Sequence, residues 1–418
     1  MGLLGVVLVV APLTVLLGAG DSVRGDDFDT RPLVFASDVP LAALLVASGP
    51  AVARQLRRLG GRLRERQWTL LAMATLAVVL LVALASHPSL DGALQVFRVF
   101  GALAVAGTVV EAIGRGWDSW RVVLAAAAGF QTVLAVAQVA VGGAVGLAVI
   151  GELADPFYPV GDVSAPSGTL LHPYVLAAHA LVAAGVLAVR ATRAPTTGTG
   201  VPWALAAAVA IAPVGFTYSR AAGLGAVALV AALAAGAVRQ RARFALPALA
   251  MVLTLGMTAG LGADGWSGRV SQTTSAGTTA DLTTGRGELI RQAADIIARY
   301  PVGGVGPGRY VESVPESAAG IRKPVHNVAL LAAAEGGVLA GVAVVLVLIL
   351  AGWAAFRGGW ATIGLWLSFL PLLFLDHMAY TFPVGLVLLG VWAGAVDVWA
   401  RSAPHVVAER AQTSEPHA

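Results

Sequence analysis

Apolar runs long enough to cross a bilayer recur from one end of this chain to the other. We read twelve, near 2–19, 33–51, 68–86, 93–113, 122–150, 170–189, 201–217, 221–238, 244–262, 327–351, 361–376 and 381–399. A spanning helix needs about 17 to 25 mostly apolar residues. Only 12% of the 418 residues are charged, against about 25% in a soluble domain. The expectation is therefore an all-α polytopic membrane protein of about 12 transmembrane helices, with the lipid bilayer as its first partner. The first run lacks a basic region before it and reads as a helix, not a cleaved leader. A net charge of +4 in such a chain is an orientation signal and gives no ground for nucleic-acid binding. The sequence has no Cys, which removes disulfides, thiolate chemistry and Cys-ligated metal centres.

The arginines orient the chain. The connection "RQLRRLGGRLRERQ" (54–67) holds six, "RQRAR" (239–243) three, and "GRGWDSWR" (114–121) and "RATR" (190–193) two each. With twelve helices all four fall on one side, cytoplasmic by the positive-inside rule, together with both termini. That divides the chain into transmembrane helices 1–9 (1–262), an external loop (263–325), helices 10–12 (326–400) and a cytoplasmic tail (401–418). The loop begins with the Gly-, Ser- and Thr-rich "ADGWSGRVSQTTSAGTTADL", expected to be irregular. Between Arg286 and Tyr300, Leu289, Ile290, Ala293, Ile296, Ile297 and Tyr300 recur at helical spacing opposite Glu288, Arg291, Gln292, Asp295 and Arg299. This predicts an amphipathic helix over 286–300, with Thr284 as N-cap and Pro301 as its stop.

Several features carry possible chemistry. "PVGGVGPGRY" (301–310) is rich in Gly but matches no nucleotide-binding fingerprint, and reads as a turn back to the membrane. Arg220, in "GFTYSRAAG", falls inside an apolar stretch that is best divided into two helices joined near Tyr218–Arg220. It is either a functional cation or one that snorkels to the interface, and the residues leave both open. Arg98 poses the same question, and there the structural role is favoured. Asp26, Asp27 and Asp29 in "RGDDFDTR" (24–31) offer carboxylate oxygens to a hard cation, although a solvated acidic loop is the simpler reading.

"RKPVHNVALLAAAEGG" (322–337) contains the only Lys, Lys323, and the only Asn, Asn327, in the chain. His326 stands there at the mouth of a helix that Asn327 can cap. The helix N-terminus lowers the pKa of an imidazole and keeps it neutral. From the residues alone an ordinary interfacial His remains the leading account.

Four segments together resemble the O-antigen ligase and O-antigen polymerase superfamily of bacterial membrane glycan transferases. They are "SGTLLHP" (167–173), "YSRAAGLGAVALV" (218–230), "TGRGELIRQAADIIARYPVGGVGPGRY" (284–310) and "HNVALLAAAEGGVLAGV" (326–342). The resemblance implies a C-type glycosyltransferase fold with one helical external loop. It also implies an inverting, metal-independent transfer of glycan from a polyprenyl-diphosphate carrier such as undecaprenyl diphosphate. The acceptor would be a hydroxyl on a glycan, lipid or protein at the outer face of the cytoplasmic membrane, in cell-surface polysaccharide assembly, and no cofactor is called for. Carried over by motif, Arg220 and Arg286 would hold the diphosphate and His326 would be the catalytic base. Lys323, Asn327, Arg291 and Arg322 are supporting candidates. Where family members often have Asn-Pro-Asn after Gly-Thr, this chain has Leu170, Leu171, His172, Pro173 and Tyr174, which makes His172 a second candidate. Two alternatives stand beside this reading. One is a metal-dependent polyprenyl-phosphate sugar transferase using Asp26 and Asp27, and the other, less favoured, is a small-solute transporter.

Overall fold

The computed structural model describes residues 2–17, 33–57, 67–153, 158–160, 163–240, 242–274, 279–314 and 322–399. Over these the chain is an all-α polytopic membrane protein. Its helices are α1 (Gly2–Val10), α2 (Asp38–Arg57), α3 (Trp68–Ser86), α4 (Leu90–Gly114), α5 (Ser119–Val141), α6 (Pro173–Thr192), α7 (Thr197–Ile211), α8 (Arg220–Gln240) and α9 (Ala242–Leu261). They continue with α10 (Ala263–Thr274), α11 (Thr279–Arg299), α12 (Tyr310–Ser313), α13 (Val328–Gly336), α14 (Val338–Gly358), α15 (Trp360–Leu375), α16 (Met378–Thr381) and α17 (Pro383–Trp399). Two short antiparallel ladders join β1 (Leu16–Leu17) to β2 (Val34–Phe35) and β3 (Tyr158–Val160) to β4 (Val163–Ala165). Among the described residues eight helices are long and apolar enough to cross a membrane, and three shorter apolar helices, Asp38–Pro50, Trp360–Leu375 and Pro383–Trp399, accompany them. Asp26, Asp27, Asp29 and the arginines between 58 and 66 lie outside the described residues.

The centre of the bundle is α6, buried along nearly its whole length, with α7 and α15 against it. Beside it α17 is buried at every residue and runs along α4. Small residues set that approach: a Cβ on Gly390 or Gly394 of α17 would come within 2.5 Å of the Ala102 carbonyl and 2.6 Å of the Ala106 carbonyl of α4. This is the small-xxx-small contact by which helices pack in lipid, where dispersion and shape stand in for the hydrophobic effect. Arg98 serves this framework. Its Nε and Nη2 donate to the two carboxylate oxygens of Asp38, at 3.0 and 2.7 Å, and Nη2 also donates to the Leu33 carbonyl at 2.5 Å. The ion pair ties α4 to the start of α2.

Five expectations are corrected. Of the run 2–19 the described part, 2–17, is helical only over Gly2–Val10, and 122–150 stops being α-helical at Val141, where Gly142 turns left-handed (φ 69°). The polar stretch after 262 is not irregular at its start but forms α10, because Trp266 anchors it: its Nε1 donates to the Gly215 carbonyl at 2.9 Å and its ring meets Tyr218 edge-on. The amphipathic helix begins earlier than expected, at Thr279, so Thr284 lies within it and Arg286 is not in its first turn. Finally, the run 327–351 is two helices. Gly337 (φ 80°) breaks it, and the glycine-rich loop is bonded to the end of α13 at the break. Val305 N donates to the Ala334 carbonyl (2.9 Å), Gly306 N to the Glu335 carbonyl (2.9 Å) and Val338 N to the Pro301 carbonyl (2.8 Å). A Cβ at Gly337 would lie 2.2 Å from the Val302 carbonyl oxygen. A broken helix is tolerated at the bilayer edge because this loop takes up the freed backbone groups.

Candidate functional site

His326 lies in the short extended piece that follows the 315–321 stretch and precedes α13. Asn327 caps the helix, its Oδ1 accepting from Leu330 N at 3.0 Å, as its side chain predicts. The ring of His326 lies against that of His377, with centroids 5.1 Å apart. His377 is held by the turn that ends α15: Asp376 Oδ1 accepts from His377 N (2.7 Å) and Met378 N (3.1 Å), starting α16. The His377 ring is fixed by a 3.0 Å hydrogen bond between Nδ1 and Thr381 Oγ1.

His172 completes the group. It caps α6 through Nδ1, which accepts from Tyr174 N at 3.0 Å. Its position is fixed by the preceding "SGT". Thr169 Oγ1 donates to the Pro12 carbonyl at 2.6 Å and accepts from Gln131 Nε2 at 2.7 Å, and Gly168 and Gln138 exchange two hydrogen bonds. These contacts give the Gly-Thr pair a framing role, while His172 lies near enough to His326 and His377 for their charges to act on one another.

All three rings are held neutral. Burial, with the nearby charges of Arg286 and Lys323, lowers the pKa of His326 to about 4. Burial, with His326 and Arg269, lowers His172 to about 3. His377 lies well below the usual imidazole value through burial and its two His neighbours. At neutral pH each ring therefore keeps one nitrogen able to accept a proton.

The cations around this cluster come from α10, α11 and the stretch before α13. Arg286 on α11 and Lys323 act on His326, and neither has an ion pair among the described residues. Arg269 on α10 acts on His172 and donates to the Tyr174 hydroxyl. Arg220 is the first residue of α8, just after the turn at Tyr218 (φ 50°) against which Trp266 of α10 packs. One helix, α10, thus spans from the Arg220 turn to His172. Arg322 is exposed on the same short piece as Lys323. Arg291 is placed differently: on the exposed face of α11 it is bonded to Glu288 at 2.7 Å and lies 3.6 Å from Asp295.

His326, Asp376 and His377 also bring one possible ligand atom each within 4.8 Å of one another. Two imidazoles and a carboxylate are a donor set for a zinc-like ion. The positive charges of Arg286 and Lys323 beside His326 oppose a cation there, and they favour an anion.

The O-antigen ligase family model matches residues 204–345. Over those residues the chain is similar to the O-antigen ligase family. No curated protein matches the chain. The O-antigen ligase segment supports a glycosyltransferase-like role in cell-surface polysaccharide assembly. The family implies a lipid-linked glycan donor and an acceptor at the membrane. Arg220, Arg269, Arg286, Lys323, His326 and Asn327 fall inside the match, and His172, Asp376 and His377 fall outside it.

Arg269, Asp376 and His377 were not singled out by sequence reasoning, although each left a trace. Arg269 follows Trp266 by three residues, one helical turn, and "LDHMAYTFP" places an Asp that can cap a turn directly after an apolar run.

Proposed function

We propose that the protein is an inverting, metal-independent glycosyltransferase with a C-type glycosyltransferase fold. It would move a glycan from a polyprenyl-diphosphate carrier to an acceptor hydroxyl at the outer face of the bacterial cytoplasmic membrane, with both termini cytoplasmic. The observation that carries this reading is a neutral, largely buried His326 flanked by the cations Arg286 and Lys323, within a segment that matches the O-antigen ligase family.

The chemistry follows from those groups. The acceptor oxygen attacks the sugar C1 of the donor as the bond from C1 to the diphosphate oxygen breaks. His326 takes the hydroxyl proton while the new C–O bond forms, and the electron pair of the broken bond leaves on the diphosphate. Arg286 and Arg220 stabilise the charge that develops there, in the planar two-point geometry that guanidinium offers to phosphate. A single displacement inverts C1. His377, stacked on His326 and tied to Thr381, fixes the ring of the base.

The test uses full-length protein in nanodiscs with lipid-linked glycan extracted from its host. His326→Ala and Arg286→Ala each lower transfer by about 100-fold or more while the thermal melt of the protein is kept. Wild-type turnover by either variant refutes the assignment.

A further inference from the structure

A cavity of about 80 Å³ opens beside the histidine cluster, and none of the groups assigned above binds in it. It borders the cluster at two points. Thr381, whose hydroxyl is bonded to His377, lines it, and so does Pro324, two residues before His326. Its character is opposite to that of the cationic surroundings of His326. Asp91 and Glu335 line it, and the cation that also lines it, Arg98, is committed to Asp38 and the Leu33 carbonyl. A diphosphate would be repelled there.

The polar atoms of the cavity are mostly acceptors. The Asp91 carboxylate feels the like charge of Glu312 and has no hydrogen bond or ion pair among the described residues. Gln95 Nε2 donates to the Tyr380 carbonyl at 2.6 Å, which directs Nε2 away and leaves Oε1 as an acceptor. Glu335 is already engaged by the Tyr380 hydroxyl (3.1 Å), which fixes that wall. Phe382 adds an aromatic surface. Surplus carboxylate and amide acceptors beside an aromatic ring suit a ligand rich in hydroxyl donors with apolar C–H faces, which is a sugar ring that is neutral or carries an amine.

We propose that this cavity is the acceptor-sugar subsite, which presents the attacking hydroxyl to His326 from the side opposite the diphosphate cations. The proposal rests on the transferase reading above. Its walls come from both parts of the chain: Tyr310, Leu331 and Glu335 lie inside the family-matched segment, whereas Asp91, Gln95 and Phe382 lie outside it.

Two measurements on full-length protein in nanodiscs test it. In saturation-transfer NMR with a neutral trisaccharide and its uronic-acid counterpart as probes, the neutral sugar binds at least about tenfold more tightly. Asp91→Asn, Asp91→Ala and Phe382→Leu weaken it about tenfold with melting temperatures retained. No binding, equal binding of the acidic sugar, or unchanged binding by all three variants overturns the proposal.

In the transfer assay Asp91→Asn raises KM for the acceptor about tenfold and leaves KM for the lipid-linked donor unchanged. A rise in donor KM alone means that the cavity holds the donor's glycan, and overturns it. A wild-type protein that binds the trisaccharide but transfers no glycan refutes the transferase reading, and the acceptor role with it. A protein that transfers glycan without binding the sugar refutes the cavity alone.

Discussion

The two ends of α6 carry similar residue types in opposite electrostatic states. At the Thr192 end each arginine in contact has an acceptor within the protein, although the buried Nε of Arg121 is left without one among the described residues. Arg190 grips Asp118 through Nη2 at 2.7 Å and Nε at 3.1 Å, and Arg121 shares the same carboxylate. Arg193 donates to the Gly358 and Trp399 carbonyls at 2.9 and 3.0 Å, and its guanidinium lies over the Trp399 ring. At the His172 end three neighbouring imidazoles are kept neutral, while Arg286 and Lys323 act on His326 without ion pairs among the described residues. The first end is complete in itself: its charges close helix termini and hold α5, α6, α14 and α17 in register. The second, on the function proposed above, is completed by the anionic donor. Burial and charge are found at both ends, so neither marks a site; the uncompensated sign of the charge does.

The largest expected effect separates the ends by kind. His326→Ala removes turnover by about 100-fold or more and leaves the melting temperature near wild type. Asp118→Ala does the reverse, leaving turnover per folded molecule unchanged. It strands two guanidiniums and costs about 2–3 kcal/mol of stability, less than a fully buried pair because Asp118 is 33% exposed. Thermal melts and transfer rates on the same samples check both, and loss of turnover in folded Asp118→Ala would erase the contrast.

Arg220→Lys should lower transfer about tenfold, since an ammonium cannot match phosphate at two points; a Lys variant with full activity would make Arg220 a simple interfacial cation.

The pH dependence is a finer test. His326 is neutral down to about pH 4, so the acid limb of kcat/KM should lie near 4 and not near 6.5. For stability the unfolded His, with its ordinary pKa of 6.5, takes up its proton first as pH falls. The contribution of the neutral ring is thus full above pH 6.5 and is lost between 6.5 and about 4. A kinetic limb at 6.5 would mean that the ring is solvated in the working enzyme.

The smallest effect is expected at Arg291, which is exposed and paired to Glu288 and Asp295 on its own helix. Arg291→Ala should transfer at the wild-type rate, and treatment with EDTA should likewise change nothing.

Much of this was legible in the sequence, for physical reasons that also mark where legibility stops. The spans were readable because lipid forces apolar runs, and Asn327 as a cap because an amide at a helix mouth has one evident task. The break at Gly337 was not, since both halves are equally apolar and the cause is a loop from some thirty residues upstream. Helix α10 was hidden by its Ser, Thr and Gly content and exists through the tertiary grip of Trp266 on Gly215. At the site, Arg220, Arg286 and His326 were found through motif resemblance, whereas the pairing of His326 with His377 joins residues fifty positions apart and is a property of the fold alone.

The bonding of the glycine-rich loop to the end of α13 has a mechanical consequence. From α11 through Pro301 and the loop to α13, the chain forms a clasp that carries Arg286 on one arm and His326 at the root of the other. Beyond Gly337 the chain continues as α14, whose first amide, Val338 N, is itself bonded back to Pro301. Backbone bonds therefore tie the arm that carries Arg286 to the arm that carries His326.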